Sequence, residues 1–112
     1  MQKYVFFVVA NIKNGVYYIT LLASVVGVDG NVIPLGNYKI QEKLINNRPM
    51  LVFYQGHKEY GMLKLQKFED NLKKENDLTY SRVDILNNET LRIVYATISD
   101  TQCAIAKVYL QN

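Results

Sequence analysis

The dipeptide Asn14-Gly15 constrains the fold more than any other feature, because it lies between two long apolar stretches. Asn-Gly is typical of a two-residue type I′ turn, which needs positive φ at both central residues. With this turn, residues 3–26 form an antiparallel hairpin in which Val8 lies opposite Leu21. One face of that hairpin is wholly apolar, and the sequence therefore predicts that it packs in a hydrophobic core.

The last third of the chain predicts a three-strand antiparallel meander. Its strands cover residues 78–86, 90–99 and 102–110, and turn-forming residues separate them. The loop lengths set a register with these opposing pairs: Ile85 and Leu91, Val83 and Ile93, Ile93 and Val108, Tyr95 and Ala106. One face then collects apolar and aromatic side chains, namely Leu91, Ile93, Tyr95, Ala104, Ala106, Val108 and Leu110. A slip by one residue would expose that face, so its burial should enforce the register.

The opposite face of the meander is the best candidate for a binding surface. It carries cationic, aromatic and acidic side chains, namely Tyr80, Arg82, Asp84, Arg92, Lys107 and Tyr109. Asp84 lies directly across from Arg92 in the predicted register and neutralises part of the positive charge. The residues predicted to contact a partner are Tyr80, Arg82, Arg92, Lys107 and Tyr109.

The middle of the chain is less well determined. Val32 and Ile33 predict a short edge strand, because Pro34 removes a backbone donor that a central strand would need. Residues 50–54 form a compact apolar run that predicts a buried strand. Between these strands, the spacing of apolar residues predicts a short helix over residues 38–45.

Residues 62–75 fit two kinds of secondary structure. Leu63 and Leu65 alternate with polar neighbours, as in a strand. Apolar residues also recur at helical spacing, at Met62, Leu65, Phe68 and Leu72. Lysines and acidic residues crowd the same region, which is typical of a solvated helix face, and we therefore expect a helix over residues 62–75.

These elements predict a single α+β domain that spans residues 1–112. Its antiparallel sheet comprises the N-terminal hairpin and the C-terminal meander, and one or two helices from the middle segment cover one face. The length of 112 residues is sufficient for one hydrophobic core. The alternative is an all-β up-and-down barrel, which requires that residues 38–45 and 60–68 form strands.

Composition excludes several classes of protein but selects no partner. The chain has 13 basic and 10 acidic residues, so its net charge is only +3. The single cysteine, Cys103, excludes an internal disulfide and favours a reducing compartment, so we expect a cytoplasmic protein. One histidine and one cysteine predict no metal site. The apolar runs are shorter than the ~20 residues of a membrane helix, so we expect no membrane association.

The sequence contains no motif of a common enzyme class, and we expect neither a cofactor nor a catalytic residue. It has no dinucleotide-binding glycine pattern, no P-loop, no nucleophile elbow and no zinc-protease motif. The loop at residues 56–61 is a weak candidate for acid-base chemistry, because His57 is followed by an ammonium, a carboxylate and a phenol. A polar hairpin connection explains the same residues without catalysis.

By elimination, we expect a small intracellular protein-interaction module. It would bind another protein, or a second copy of itself, through a tyrosine-rich sheet surface, because tyrosine is enriched in interfaces and the chain has nine tyrosines. The first alternative is a single-stranded nucleic-acid-binding protein that uses the basic and aromatic face of the meander. The second alternative is a carrier of a small apolar ligand, if the fold is a closed barrel.

Overall fold

A computed structural model describes residues 7–8, 16–71, 73 and 79–110, with the backbone alone at residues 7–8. Every element of regular structure within residues 16–70 and 79–110 is a strand. The strands are β1 (Phe7–Val8), β2 (Tyr17–Leu21), β3 (Val25–Val26), β4 (Val32–Ile33), β5 (Gly36–Ile45), β6 (Arg48–Gln55), β7 (Lys58–Lys64), β8 (Gln66–Lys67), β9 (Tyr80–Asn87), β10 (Thr90–Ala96) and β11 (Thr101–Val108).

The strands form two antiparallel sheets that share one hydrophobic core. A curled seven-stranded sheet has the order β1-β9-β10-β11-β3-β4, and β8 also pairs with β11. A four-stranded sheet has the order β2-β5-β6-β7. The chain passes from one sheet to the other at Leu65, whose N–H donates to the carbonyl oxygen of Pro49 at 3.1 Å. The largest fully buried side chains of this core are Tyr38, Phe53, Ile19, Leu21, Ile33, Leu51, Ile93 and Val25.

The α+β prediction is wrong at residues 38–45, which belong to strand β5 rather than to a helix. Tyr38 and Ile40 are buried, whereas the intervening Lys39 is half-buried and Gln41 is exposed, so the side chains alternate between two faces. The turn that follows contains Asn46 and Asn47 at positive φ, 52° and 63°. Positive φ at both central residues is the type I′ geometry that joins β5 to β6 as a hairpin.

The helix predicted over residues 62–75 is also wrong over residues 62–70, none of which is helical. Residues 58–64 and 66–67 are strands β7 and β8. Leu63 and Leu65 are buried, whereas Lys64 and Gln66 are exposed, which is the strand alternation visible in the sequence. Strand β7 pairs with β6 along its whole length. This pairing satisfies the backbone hydrogen-bonding groups of β7, so the strand pattern prevails over the helical one.

The N-terminal hairpin is corrected too. Val8 of β1 pairs with Arg82 of β9, and Leu21 of β2 pairs with Gly36 of β5, so the two segments belong to different sheets. The predicted turn at Asn14-Gly15 lies outside the described residues. Both faces of this part of the sequence are apolar in the middle, so alternation alone does not select one partner strand. The sheet order is not sequential either, which excludes the single up-and-down barrel.

The C-terminal meander is confirmed as three consecutive antiparallel strands, β9, β10 and β11. Ile85 pairs with Leu91 and Val83 with Ile93, as predicted. The second seam is shifted by four residues, because Ile93 pairs with Ala104 and not with Val108. The connection is a four-residue turn in which the N–H of Thr97 donates to the Asp100 carbonyl at 2.8 Å. An even shift keeps each residue on its predicted face.

Candidate functional site

The structure places the five predicted partner residues in two different environments. Tyr80 and Arg82 are buried, with 2 % and 8 % of their surface exposed. Arg92 is half-buried, whereas Lys107 and Tyr109 are exposed. The predicted surface therefore consists of a covered part on β9 and β10 and an open part on β11.

The covered part holds an ion-pair cluster centred on Asp84, which is 1 % exposed. Arg82 Nε donates to Asp84 Oδ1 at 2.8 Å, and Arg92 Nη2 donates to Asp84 Oδ2 at 2.8 Å. Arg82 also forms an ion pair with Asp70, which accepts a hydrogen bond from the Tyr80 hydroxyl. Two guanidinium groups are thus matched by two carboxylates, and this part of the surface carries no net charge.

The environment of this cluster shifts two pKa values. Burial alone would lower the pKa of Arg82, but its hydrogen bonds to Asp84 and Asp70 outweigh burial and raise it. Burial raises the pKa of Tyr80, and the hydrogen bond to Asp70 raises it further. Phe68 covers the cluster, since the guanidinium carbon of Arg92 lies 4.6 Å from the centre of its ring. Charges held in this way are unavailable to a ligand.

The open part of the surface is a row of three side chains, two on β11 and one directly after its end. Ile105, Lys107 and Tyr109 alternate with core residues and therefore lie on one face. Ile105 is 45 % exposed and Tyr109 is 44 % exposed. Ile105 and Tyr109 therefore contribute apolar area to this exposed face.

The pairing of β11 is interrupted at Ile105 on the edge that faces away from β10. On this edge, β8 pairs with Gln102 and Cys103, and β3 pairs with Lys107 and Val108. Within the part of the chain that the structure describes, no strand pairs with Ile105 on this side. The sheet therefore has a gap of three residues, 104–106, between β8 and β3.

The hydrogen-bond pattern shows which backbone groups face this gap. The N–H of Val108 donates to the carbonyl of Glu89 at 2.8 Å, so even-numbered residues of β11 direct their backbone groups toward the β10 side. Because hydrogen-bonded and non-hydrogen-bonded pairs alternate in an antiparallel ladder, Ile105 forms a non-hydrogen-bonded pair with Arg92. The N–H and C=O of Ile105 therefore point away from β10 and into the gap.

A groove of about 310 Å³ lies over this gap, and we call it the β11 groove. Its far wall is fixed by a hydrogen bond from the N–H of Val28 to the carbonyl of Met62 at 3.0 Å. Lys64 and Lys107 are both exposed and are among its lining residues. The described lining residues are Val26, Gly27, Val28, Leu63, Lys64, Ile105 and Lys107.

The loop considered for acid-base chemistry forms the hairpin connection between β6 and β7. His57, Lys58 and Glu59 are exposed, and the Lys58 ammonium lies 4.9 Å from the centre of the Tyr60 ring. Among the described residues, no group of three or more histidine, cysteine or acidic side chains could hold a metal ion.

Cys103 is a buried residue of β11, 2 % exposed. Burial raises the pKa of its thiol, which disfavours the reactive thiolate at neutral pH. The side-chain amide of Gln66 donates to its sulfur at 3.8 Å. This environment is that of a packed core residue rather than of a nucleophile.

Within the described ranges, no helix has the length and apolar character needed to cross a membrane. Comparison of the chain with protein-family models, with curated proteins and with solved structures gave no match.

Sequence reasoning identified one wall of the β11 groove and missed the others. Lys107 was among the predicted partner residues, but Val28 and Lys64 were not, and Lys64 lies in the segment predicted as a helix. Ile105 is the one lining residue whose position in the sequence pattern could have indicated the groove. It is an isoleucine on the polar face of an otherwise well-patterned strand.

Proposed function

We propose that this protein is an interaction module that binds an extended segment of a partner protein in the β11 groove. The observation that carries the proposal is the gap at Ile105. There, a backbone N–H and C=O face an apolar groove and have no ladder partner among the described residues. One residue of a peptide in extended conformation can supply both a donor and an acceptor to the backbone of Ile105, between β8 and β3.

The groove also indicates the chemistry of the partner segment. Its apolar lining around Leu63 and Ile105 suits one aliphatic side chain. Lys64 and Lys107 add two positive charges, and no acidic residue is among the described lining residues. Charge complementarity therefore favours a segment with aspartate or glutamate on both sides of its apolar residue.

The distribution of charge disfavours nucleic acid as the ligand of the same surface. Arg82 and Arg92 were the principal cations of that alternative, and both are paired with Asp84. Neutralised cations release few counterions when they meet phosphate, so they add little affinity.

The proposal is tested by fluorescence anisotropy with a labelled hexapeptide, Glu-Asp-Val-Ile-Asp-Glu. We expect saturable binding at low salt. The double variant Lys64→Glu/Lys107→Glu should weaken binding about tenfold, because two favourable charge contacts become repulsive. Lys58→Glu is the control for one charge reversal, since Lys58 is exposed but outside the groove, and it should have little effect.

A second pair of variants tests the backbone contact. Ile105→Pro removes the N–H that faces the groove but no hydrogen bond to β10, so the sheet should remain folded and binding should be lost. Ile105→Val keeps the N–H and should retain most of the affinity. Thermal unfolding of both variants verifies that they fold.

The proposal is contradicted if the hexapeptide and its basic counterpart, Lys-Lys-Val-Ile-Lys-Lys, bind equally or not at all. Salt-sensitive binding of an oligothymidine that Lys107→Glu weakens would instead support the nucleic-acid alternative. Sedimentation of the unliganded protein at increasing concentration shows whether the chain self-associates.

A further inference from the structure

A second concave site lies on the core side of the seven-stranded sheet, separate from the β11 groove. It is a pocket of about 250 Å³ between the end of β2 and the β9–β10 hairpin. Val108 lines this pocket, whereas the adjacent Lys107 lines the groove, and successive residues of a strand face opposite sides of the sheet. Its described lining residues are Thr20, Leu22, Ala23, Val83, Ile85, Asn87, Asn88, Leu91 and Val108.

The lining defines the polarity of a suitable ligand. None of the described lining residues carries a charge. The hydroxyl of Thr20 donates to Asn37 Oδ1 at 2.6 Å, and Asn87 Oδ1 accepts the N–H of Glu89 at 2.8 Å, so these two of the polar groups in the lining already have partners. An ion in this pocket would lose hydration without gaining a counter-charge, whereas a neutral apolar molecule would not.

The volume defines the size of the ligand. In another protein, an engineered apolar cavity of about 150 Å³ binds benzene, and drug-sized ligands occupy pockets of roughly 300–1,000 Å³. A pocket of about 250 Å³ lies between these limits. It therefore matches a compact molecule of one or two rings.

We propose that this pocket is a binding site for a small, neutral, apolar molecule of one or two fused rings. The site is independent of the partner segment proposed for the β11 groove, because the two lie on opposite faces of the sheet. Leu91 and Val83 supply part of the apolar wall, and Leu22, which is exposed, stands at the mouth where a ligand would enter.

The test uses methyl-labelled protein titrated with naphthalene and with indole, followed by NMR. We expect saturable shifts of the methyl signals of Val83, Leu91 and Val108, with little change at Ile98, an exposed residue outside the pocket. 2-Naphthoate has a similar size but carries a negative charge, and it should bind at least about tenfold more weakly.

A filled variant provides an independent measurement. Ala23→Leu adds side-chain volume to the pocket and should weaken naphthalene binding at least about tenfold, whereas Ser99→Leu, on an exposed turn, should leave it unchanged. The methyl spectrum of each variant also shows whether it is folded, and the wild-type titration decides the proposal if Ala23→Leu is not. Absence of saturable shifts, equal binding of naphthoate, or full binding by folded Ala23→Leu would overturn the proposal.

Discussion

Asp84 and Arg92 face each other across β9 and β10, and Arg92 Nη2 lies 2.8 Å from Asp84 Oδ2. Asp84 simultaneously accepts two hydrogen bonds from Arg82. Asp84 and Asp70 together thus neutralise the two arginines on the face of the meander that the sequence marks as a binding surface. What remains open for a partner is the row on β11.

The first prediction concerns Asp84→Asn, which keeps the volume of the side chain but removes its charge. Arg82 and Arg92 would then retain buried or half-buried charges with one counter-charge missing, so the free energy of unfolding should fall by about 3–5 kcal/mol. Urea denaturation measures the change. Glu89→Gln is the control, because it removes a carboxylate from an exposed residue, and a similar loss for both variants would refute a special role for Asp84.

The second prediction concerns the close approach of Gly61 to Ile33. A β-carbon added at Gly61 would lie 2.6 Å from Cγ1 of Ile33, so Gly61→Ala should destabilise the fold by about 1–3 kcal/mol. In the double variant Gly61→Ala/Ile33→Ala, the clash between the added β-carbon and Cγ1 of residue 33 is absent. Its loss of stability should therefore be smaller than the sum of the two single losses, and strict additivity would show that the two residues do not clash.

The third prediction concerns alkaline pH. Burial raises the pKa of Tyr17, Tyr38, Tyr80 and Tyr95 above the ordinary value of 10.0. Above pH 10 the unfolded chain releases these phenolic protons while the native protein still holds them, so the unfolded state binds fewer protons. The free energy of unfolding should therefore have its full value below pH 10 and decline above it.

Urea denaturation between about pH 9 and about pH 11 measures this decline. Tyrosinate absorbance gives a second readout, since four of the nine tyrosines should ionise at higher pH in the native protein than in urea. Identical titration of all tyrosines in both states would contradict the buried environments described above.

The fourth prediction concerns the thiol of Cys103. Because burial raises its pKa and shields the sulfur, reaction with an aromatic disulfide reagent should be at least about tenfold slower in the native protein than in denaturant. The denatured protein is its own control for the intrinsic reactivity. Equal rates in the two conditions would mean that Cys103 is accessible.

The meander could be predicted from sequence because its patterns agree with one another. Alternation, turn residues and loop length all placed Leu91 and Ile93 toward the core, and only the seam to β11 was shifted. That shift depends on the turn formed by Thr97 and Asp100, whose side-chain hydrogen bonds extend the connection beyond two residues. A four-residue shift is invisible to alternation, because it leaves every side chain on the same face.

The middle segment and the N-terminal hairpin could not be predicted in the same way. Leu63 and Leu65 fit both a strand and a helix, and the choice depends on pairing with β6, a contact made through the tertiary fold. Val8 and Leu21 are suited to each other, but each pairs with a strand more distant in sequence. The β11 groove was missed for the same reason, since its walls come from strands far apart in the chain.

Hydrogen exchange at the amide of Ile105 tests the central claim most directly. The account predicts fast exchange of this amide in the free protein and protection once the hexapeptide Glu-Asp-Val-Ile-Asp-Glu is bound. The amides of Ala104 and Ala106, which face β10, should be protected in both states. Protection of Ile105 in the free protein, or continued fast exchange with saturating peptide, would contradict the open edge on which the proposed function depends.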